Sequence, residues 1–196
     1  MNIQRLDAIA DLSTGLQIKT SGGKERYLLQ AKHFDEQARL IPENLKKELH
    51  AEEVPARFSL QVDDIIFCVK GTRNFAVLIT EAMLPGTASS LFFLIKVKIS
   101  RENLLPEYLA WYLNNPATLT HIQSFAKGSV LPLIPKSVLA NLVIPYPTVD
   151  IQRDILRLHG LRKEESRLLK QFDSLRDEEI HSVIHSIIGE PHDLIR

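Results

Sequence analysis

The sequence predicts a mixed α/β body, a sheet with short helices, followed by a long C-terminal coiled-coil helix. Three observations carry this. Residues 62–69, VDDIIFCV, place β-branched and aromatic residues in an apolar run after two aspartates, the mark of a buried strand. Residues 95–99, IKVKI, alternate with period two, as on a half-exposed sheet face. Residues 150–188 hold no proline and the single glycine Gly160, with apolar residues mostly three, four or seven apart. That last pattern lines one stripe of a helix.

The stretch GSVLPLIPKSVLANLVIPYPTVDIQRDI, residues 128–155, joins the two parts. Gly128-Ser129 is a turn, and Pro135 can open a short helix reaching Leu142. Val143-Ile144 reads as a brief buried strand. Pro145 and Pro147 oppose both helix and ladder pairing, so the chain between them is extended. Asp150 then caps the long helix. This junction sets the boundary between a body of residues 1–147 and a helix of residues 148–196.

Within the body, residues 3–12 suit a short helix or strand. Residues 27–31 read as a strand, and residues 42–49 as a surface helix with proline at its first position. Residues 70–74, KGTRN, make a tight loop, and residues 75–80 return as the partner strand. Residues 91–99 form a further strand. Pro106 opens a helix to Asn114, and Asn115-Pro116 caps another running toward Phe125.

Composition narrows the function. The 196 residues carry 24 basic and 24 acidic side chains, so bulk charge does not announce nucleic acid. The lone Cys68 excludes an internal disulfide and fits a reducing compartment. There is no spanning-length apolar run and no signal-like N-terminus, so a cytoplasmic protein without membrane contact is expected.

No catalytic constellation emerges. His181 and His185 are four apart on the long helix, but lack a zincin glutamate and a third ligand. They read better as polar residues of a solvated face. Asp63-Asp64 reads as a turn rather than an acid–base pair, and Cys68 as a small core hydrophobe. Gly71-Thr72-Arg73 and Gly22-Gly23-Lys24 lack the phosphate-loop framework. The expectation is a non-enzyme without metal or cofactor.

What remains is four basic loops: residues 19–26, 32–33, 70–74 and 127–129. Their candidate DNA contacts are Lys19, Lys24, Arg26, Lys70, Arg73, Asn74, Lys127 and Ser129. Arg73 is the expected base reader, since a guanidinium can pair bidentately with guanine. The helix stripe offers Ile155, Leu158, Leu168, Phe172, Leu175 and Val183 for dimerisation.

Several segments together resemble the target recognition domain of specificity subunits from type I restriction–modification systems. Leu6 to Gly15 is similar to the family's opening segment and Tyr27-Leu28 to its first sheet strand. Asp64-Ile65-Ile66 with Gly71 resembles its strand and loop, and Tyr108-Leu109 with Tyr112-Leu113 its mid-domain helix. Gly128-Ser129, Leu139, Leu142, Ile144-Pro145, Pro147 and Gln152 resemble its finish into the conserved helix. Asp63 departs from a common glycine, and Ile151 from a common glutamate. The usual subunit has two recognition domains and two helices, whereas this chain has one of each.

The resemblance implies a non-catalytic, sequence-specific reader of a half-site in double-stranded DNA. It also implies a scaffold for methyltransferase and nuclease subunits, and a homodimer through antiparallel helices. Two other readings stay open. One is an adaptor or decoy acting through the helix without reading DNA. The other is a cryptic nuclease or hydrolase using His181, His185 and Asp63-Asp64.

Overall fold

The computed structural model describes residues 1–16, 24–50, 54–71, 73–128 and 132–188. The chain divides into two compact units, Met1–Arg153 and Asp154–Arg196.

In the first unit the order of elements is β1 (Asn2–Arg5), α1 (Leu6–Ile9), β2 (Ala10–Thr14), β3 (Lys24–Leu29), β4 (Lys47–His50), β5 (Ile65–Cys68), β6 (Ala76–Leu78), β7 (Gly86–Ala88) and β8 (Phe92–Val97). Then come α2 (Pro106–Leu113), α3 (Pro116–Gln123), α4 (Lys136–Ala140), β9 (Val143–Tyr146) and the start of α5 (Val149–Ile188). The strands form three sheets, ordered β2-β8-β5-β6, β4-β3-β7 and β1-β9. Every pairing among them is antiparallel except β3 with β7.

All four residues of β5 are buried, because the strand is central in its sheet and covered on both faces. Alternation divides its side chains. Ile66 and Cys68 join Leu29, Phe34, Val77 and Phe92 in one apolar cluster, while Ile65 and Phe67 turn to the other face. Phe34, Phe75 and Phe92 meet at the centre of that cluster with centroids 5.9 to 6.2 Å apart, tilted or edge-on as aromatic rings prefer.

Three sequence expectations change. Residues 42–49 are not a surface helix: Pro42–Asn44 is one tight turn, and Lys47–His50 pairs with Lys24–Tyr27. Helix-forming residues are overridden there by the open edge of β3, which the pairing satisfies. Residues 3–12 hold strand, helix and strand in succession. The ladder also runs through Pro145, opposite Ile3. It can do so because β1 is the only neighbour of β9 among the described residues, leaving the missing N–H on the unpaired edge.

The second unit is helix. Among its described residues α5 exposes Leu158, Leu161, Leu168, Leu169, Phe172, Leu175, Val183 and Ile187, each more than half exposed. No helix among the described residues is long and apolar enough to cross a membrane.

Candidate nucleic-acid interface

The clearest basic surface is built where β5 runs out. Val69 is buried and hydrogen-bonded from both sides: its N–H donates to Leu91 O at 2.9 Å, and its carbonyl accepts from Ile134 N at 2.9 Å. Lys70 follows and bridges to Leu133, and Leu133 bridges in turn to Lys127. The Lys127–Leu133 pair exchanges both backbone hydrogen bonds, at 3.0 and 2.9 Å, and Gly71 N donates to Pro132 O at 3.0 Å. The end of β5 and a short reversal of the chain between Lys127 and Leu133, far apart in sequence, therefore form a small antiparallel ribbon.

Directly opposed residues share a face. With Val69 and Ile134 buried, Lys70, Leu133 and Lys127 take the outer side, and all three are exposed. Neighbours across such a ribbon stand about 5 Å apart at Cβ, so the two ammonium stems flank Leu133 roughly 10 Å from one another. Gly71 and Gly128, at φ 112° and 96°, adopt the left-handed backbone that lets each lysine-bearing segment turn.

The other candidates fall elsewhere. Arg26 lies on β3, in a different sheet, where its guanidinium reaches Ser59 Oγ at 3.4 Å. Lys24 opens the same strand. Lys19 and Ser129 lie outside the described residues.

Arg73 and Asn74 require correction. The Arg73 guanidinium donates to Asp35 O at 2.7 Å and Phe34 O at 3.0 Å, and its Cζ lies 4.4 Å from the Phe75 ring centroid. Two of its five N–H donors are thus held by carbonyls and its face by a ring, so the side chain braces the loop. Asn74 is buried, donates to Cys68 O at 3.0 Å, and accepts from Gln123 at 3.3 Å. It holds the loop closed from inside.

The residues suspected of chemistry have structural partners. Asp63 pairs with Arg101, which also pairs with Glu107 at 2.6 Å. Asp64 pairs with Lys96 at 3.3 Å and accepts from Gln61 N at 2.9 Å. Burial pushes the Asp64 carboxyl above its usual range against the pull of those two partners. The thiol of Cys68 is likewise pushed up by burial, so the reactive thiolate is disfavoured. The His181 ring engages Asp177 O at 2.8 Å in its own helix. Among the described residues no three His, Cys, Asp or Glu side chains cluster as metal ligands.

Gln152 anchors the start of α5 and is fully buried. Its amide oxygen accepts from Leu105 N at 2.9 Å, and its nitrogen donates to Asn103 O and Pro147 O, both at 2.8 Å. From the residues alone a glutamine on an amphipathic helix reads as solvated; only the family resemblance singled it out.

A three-sheet body with a ribbon of basic loops, ending in a long helix with an exposed apolar stripe, has the fold of type I restriction–modification specificity subunits. The solved neighbours carry that statement. The HsdS subunit from Thermoanaerobacter tengcongensis superposes with a TM-score of 0.73 at 18% identity, over 94% of this chain and 47% of its own. A chain from a study of complex assembly and conformational transition of the type I system gives 0.72 at 16%, over 96% and 48%. The type I S subunit from M. genitalium gives 0.53 at 18%, over 96% and 46%. This chain thus spans about half the length of the subunits it matches. No family profile and no curated protein matches the sequence.

Proposed function

We propose that this chain is the DNA-reading specificity subunit of a type I-like restriction–modification system, working as half of the usual subunit. The observation that carries the reading is the likeness of nearly the whole chain to half of each specificity subunit. Residues 1–147 read one short half-site in duplex DNA. Lys70 and Lys127 contact phosphate from the ribbon beside β5, with Lys19, Lys24, Arg26 and Ser129 as further contacts. Arg73 and Asn74 position that ribbon. The chain has no catalysis of its own and takes no cofactor; methyltransferase and nuclease subunits assemble on it in the cytoplasm.

The helix stripe offers a surface for a second helix. An apolar stripe on a 40-residue helix leaves too much apolar surface in water for a single rod. A second copy supplies an identical stripe, and a two-fold pair is the commonest closed arrangement. Run antiparallel, the two helices give the subunit two readers, as in the two-domain family members.

The test is selection of bound duplexes from a random pool by the purified chain, followed by readout of the bases retained. A defined half-site supports the reading. Retention without base preference, together with a tight helix partner, supports an adaptor instead. Methylation or cleavage by the purified chain alone would overturn the non-catalytic assignment.

A further inference from the structure

We infer that Arg57 is a base-reading side chain of the body, and that the base it takes is guanine. The inference rests on the half-site reading proposed above and adds one reader and its base.

The unit Met1–Arg153 carries seven arginines. Six have donors committed within the protein. Arg5, Arg39, Arg101 and Arg153 pair with Asp7, Asp35, Asp63 and Asp150. Arg26 reaches Ser59 Oγ at 3.4 Å, and Arg73 donates to two carbonyls. Arg57 is the exception. It is exposed, and among the described residues its guanidinium makes no hydrogen bond and no ion pair. Its contact is with a ring: Cζ lies 4.7 Å from the centroid of Phe58. Stacking of this kind holds the guanidinium by its flat face and leaves the five N–H groups in its plane unspent.

The backbone beneath that fork is fixed. Val54 and Leu60, on either side of it in the chain, are buried. Ala56–Phe58 make one tight turn, in which Phe58 N donates to Pro55 O at 2.8 Å. The Phe58 carbonyl accepts from Thr87 Oγ1 at 2.9 Å, and the Ser59 carbonyl from Lys96 Nζ at 3.0 Å. Leu60 N donates to Gly86 O at 3.0 Å. Strands β7 and β8 thus grip the chain at three successive residues after Arg57. A fork carried on such a mount has little freedom left to lose on binding.

The chemistry of the fork selects the base. A guanidinium only donates, so it pairs twice only where two acceptors stand side by side. In the major groove guanine shows such a pair, O6 and N7, whereas adenine sets its N6 donor beside N7. Cytosine presents a donor, and thymine a single acceptor beside its methyl group. A phosphate also accepts a fork, but carries no sequence information. Phosphate can be approached from many directions and does not need a guanidinium whose plane is set in advance. A base edge lies in one plane and does.

The test uses the full chain and the duplex it retains from a random pool. One position of that half-site should require guanine. R57A should weaken binding to that duplex about 10- to 100-fold, the range of one lost bidentate pair, and should lose discrimination at that position alone. R57K keeps the charge without the fork, so it should lose the same preference with the salt dependence unchanged. At that position 7-deazaguanine, which lacks the N7 acceptor, should weaken the wild type and leave R57A indifferent. Both variants should keep the wild-type denaturation midpoint, since Arg57 has no hydrogen bond within the body to lose. R57A that weakens all duplexes alike and flattens the salt slope by about 0.9 would make Arg57 a phosphate contact and overturn the inference. R57A as selective as the wild type would overturn it too. Either result leaves the proposed reader standing. A wild-type chain that retains no defined half-site would overturn that reading and this inference together.

Discussion

The side-chain amide of Gln152 accepts the backbone N–H of Leu105 at 2.9 Å, across 47 positions of sequence. The same amide closes two carbonyls, Asn103 O and Pro147 O. Three backbone groups from separate stretches of the body therefore depend on one fully buried side chain. Gln152→Leu keeps the volume and leaves all three unpaired. It should lower the stability of the body by about 2–4 kcal/mol, since each buried unsatisfied group costs about 1–3 kcal/mol and partial relaxation recovers some of it. Chemical denaturation of the full chain reads this. Stability unchanged within about 0.5 kcal/mol would show that the three bonds are not made in solution.

The basic ribbon makes a prediction that separates charge from scaffold. Lys70→Ala and Lys127→Ala should each weaken binding to all duplexes alike, and each should flatten the salt dependence by about 0.9 in slope. Arg73→Lys keeps the charge but loses the planar fork that holds two carbonyls and stacks on Phe75. It should cost about 1–3 kcal/mol of folding stability while leaving the salt slope near the wild type. Arg73→Lys that preserves stability yet relaxes preference at a single base would return Arg73 to the role of reader.

Asp64 links stability to pH. Burial raises its carboxyl pKa in the folded chain above 3.8, so between that value and the raised one the folded state holds more proton than the unfolded. Stability contributed by this group is then present at low pH and falls as pH rises through the raised pKa. Asp64→Asn removes the titration and should flatten that part of the stability profile. The comparison to make is denaturation midpoint against pH for both proteins from about 3.5 upward. Parallel profiles would show that Asp64 titrates normally.

Much of this architecture is legible in the residues, and the failures have physical causes. The run Ile65–Cys68 and the long stripe of α5 are visible because a strand covered on both faces reads as a continuous apolar run and an apolar stripe on a helix recurs at three and four. Residues 42–49 mislead because six good helix formers carry no trace of the open strand edge that recruits them. Arg73 and Asn74 mislead differently. A polar residue in a loop reads as available, and nothing local tells that Phe34, Asp35 and Cys68 offer their carbonyls to it. Convergence is the remaining blind spot. Lys70 and Lys127 flank one leucine, and 57 positions of chain between them hide it.

The last prediction concerns the target. Leu168 and Phe172 are 51% and 63% exposed on α5, and burying a leucine or phenylalanine side chain contributes about 1.5–3 kcal/mol. A two-fold pair counts each position twice, so L168E/F172E removes several kcal/mol and adds four charges to the interface. The variant should be monomeric at concentrations where the wild type is paired, and should keep its affinity for a single half-site. It should lose the added affinity for a full site, because two linked readers raise each other's effective concentration and one reader cannot. Two identical readers related by a two-fold axis must see identical half-sites in inverted orientation. The full target should therefore be an interrupted palindrome, with a gap fixed by the helical pair. Mapping the methylated positions in cells whose only specificity subunit is this chain reads the target directly. Two unlike halves in that map would rule out the symmetric pair.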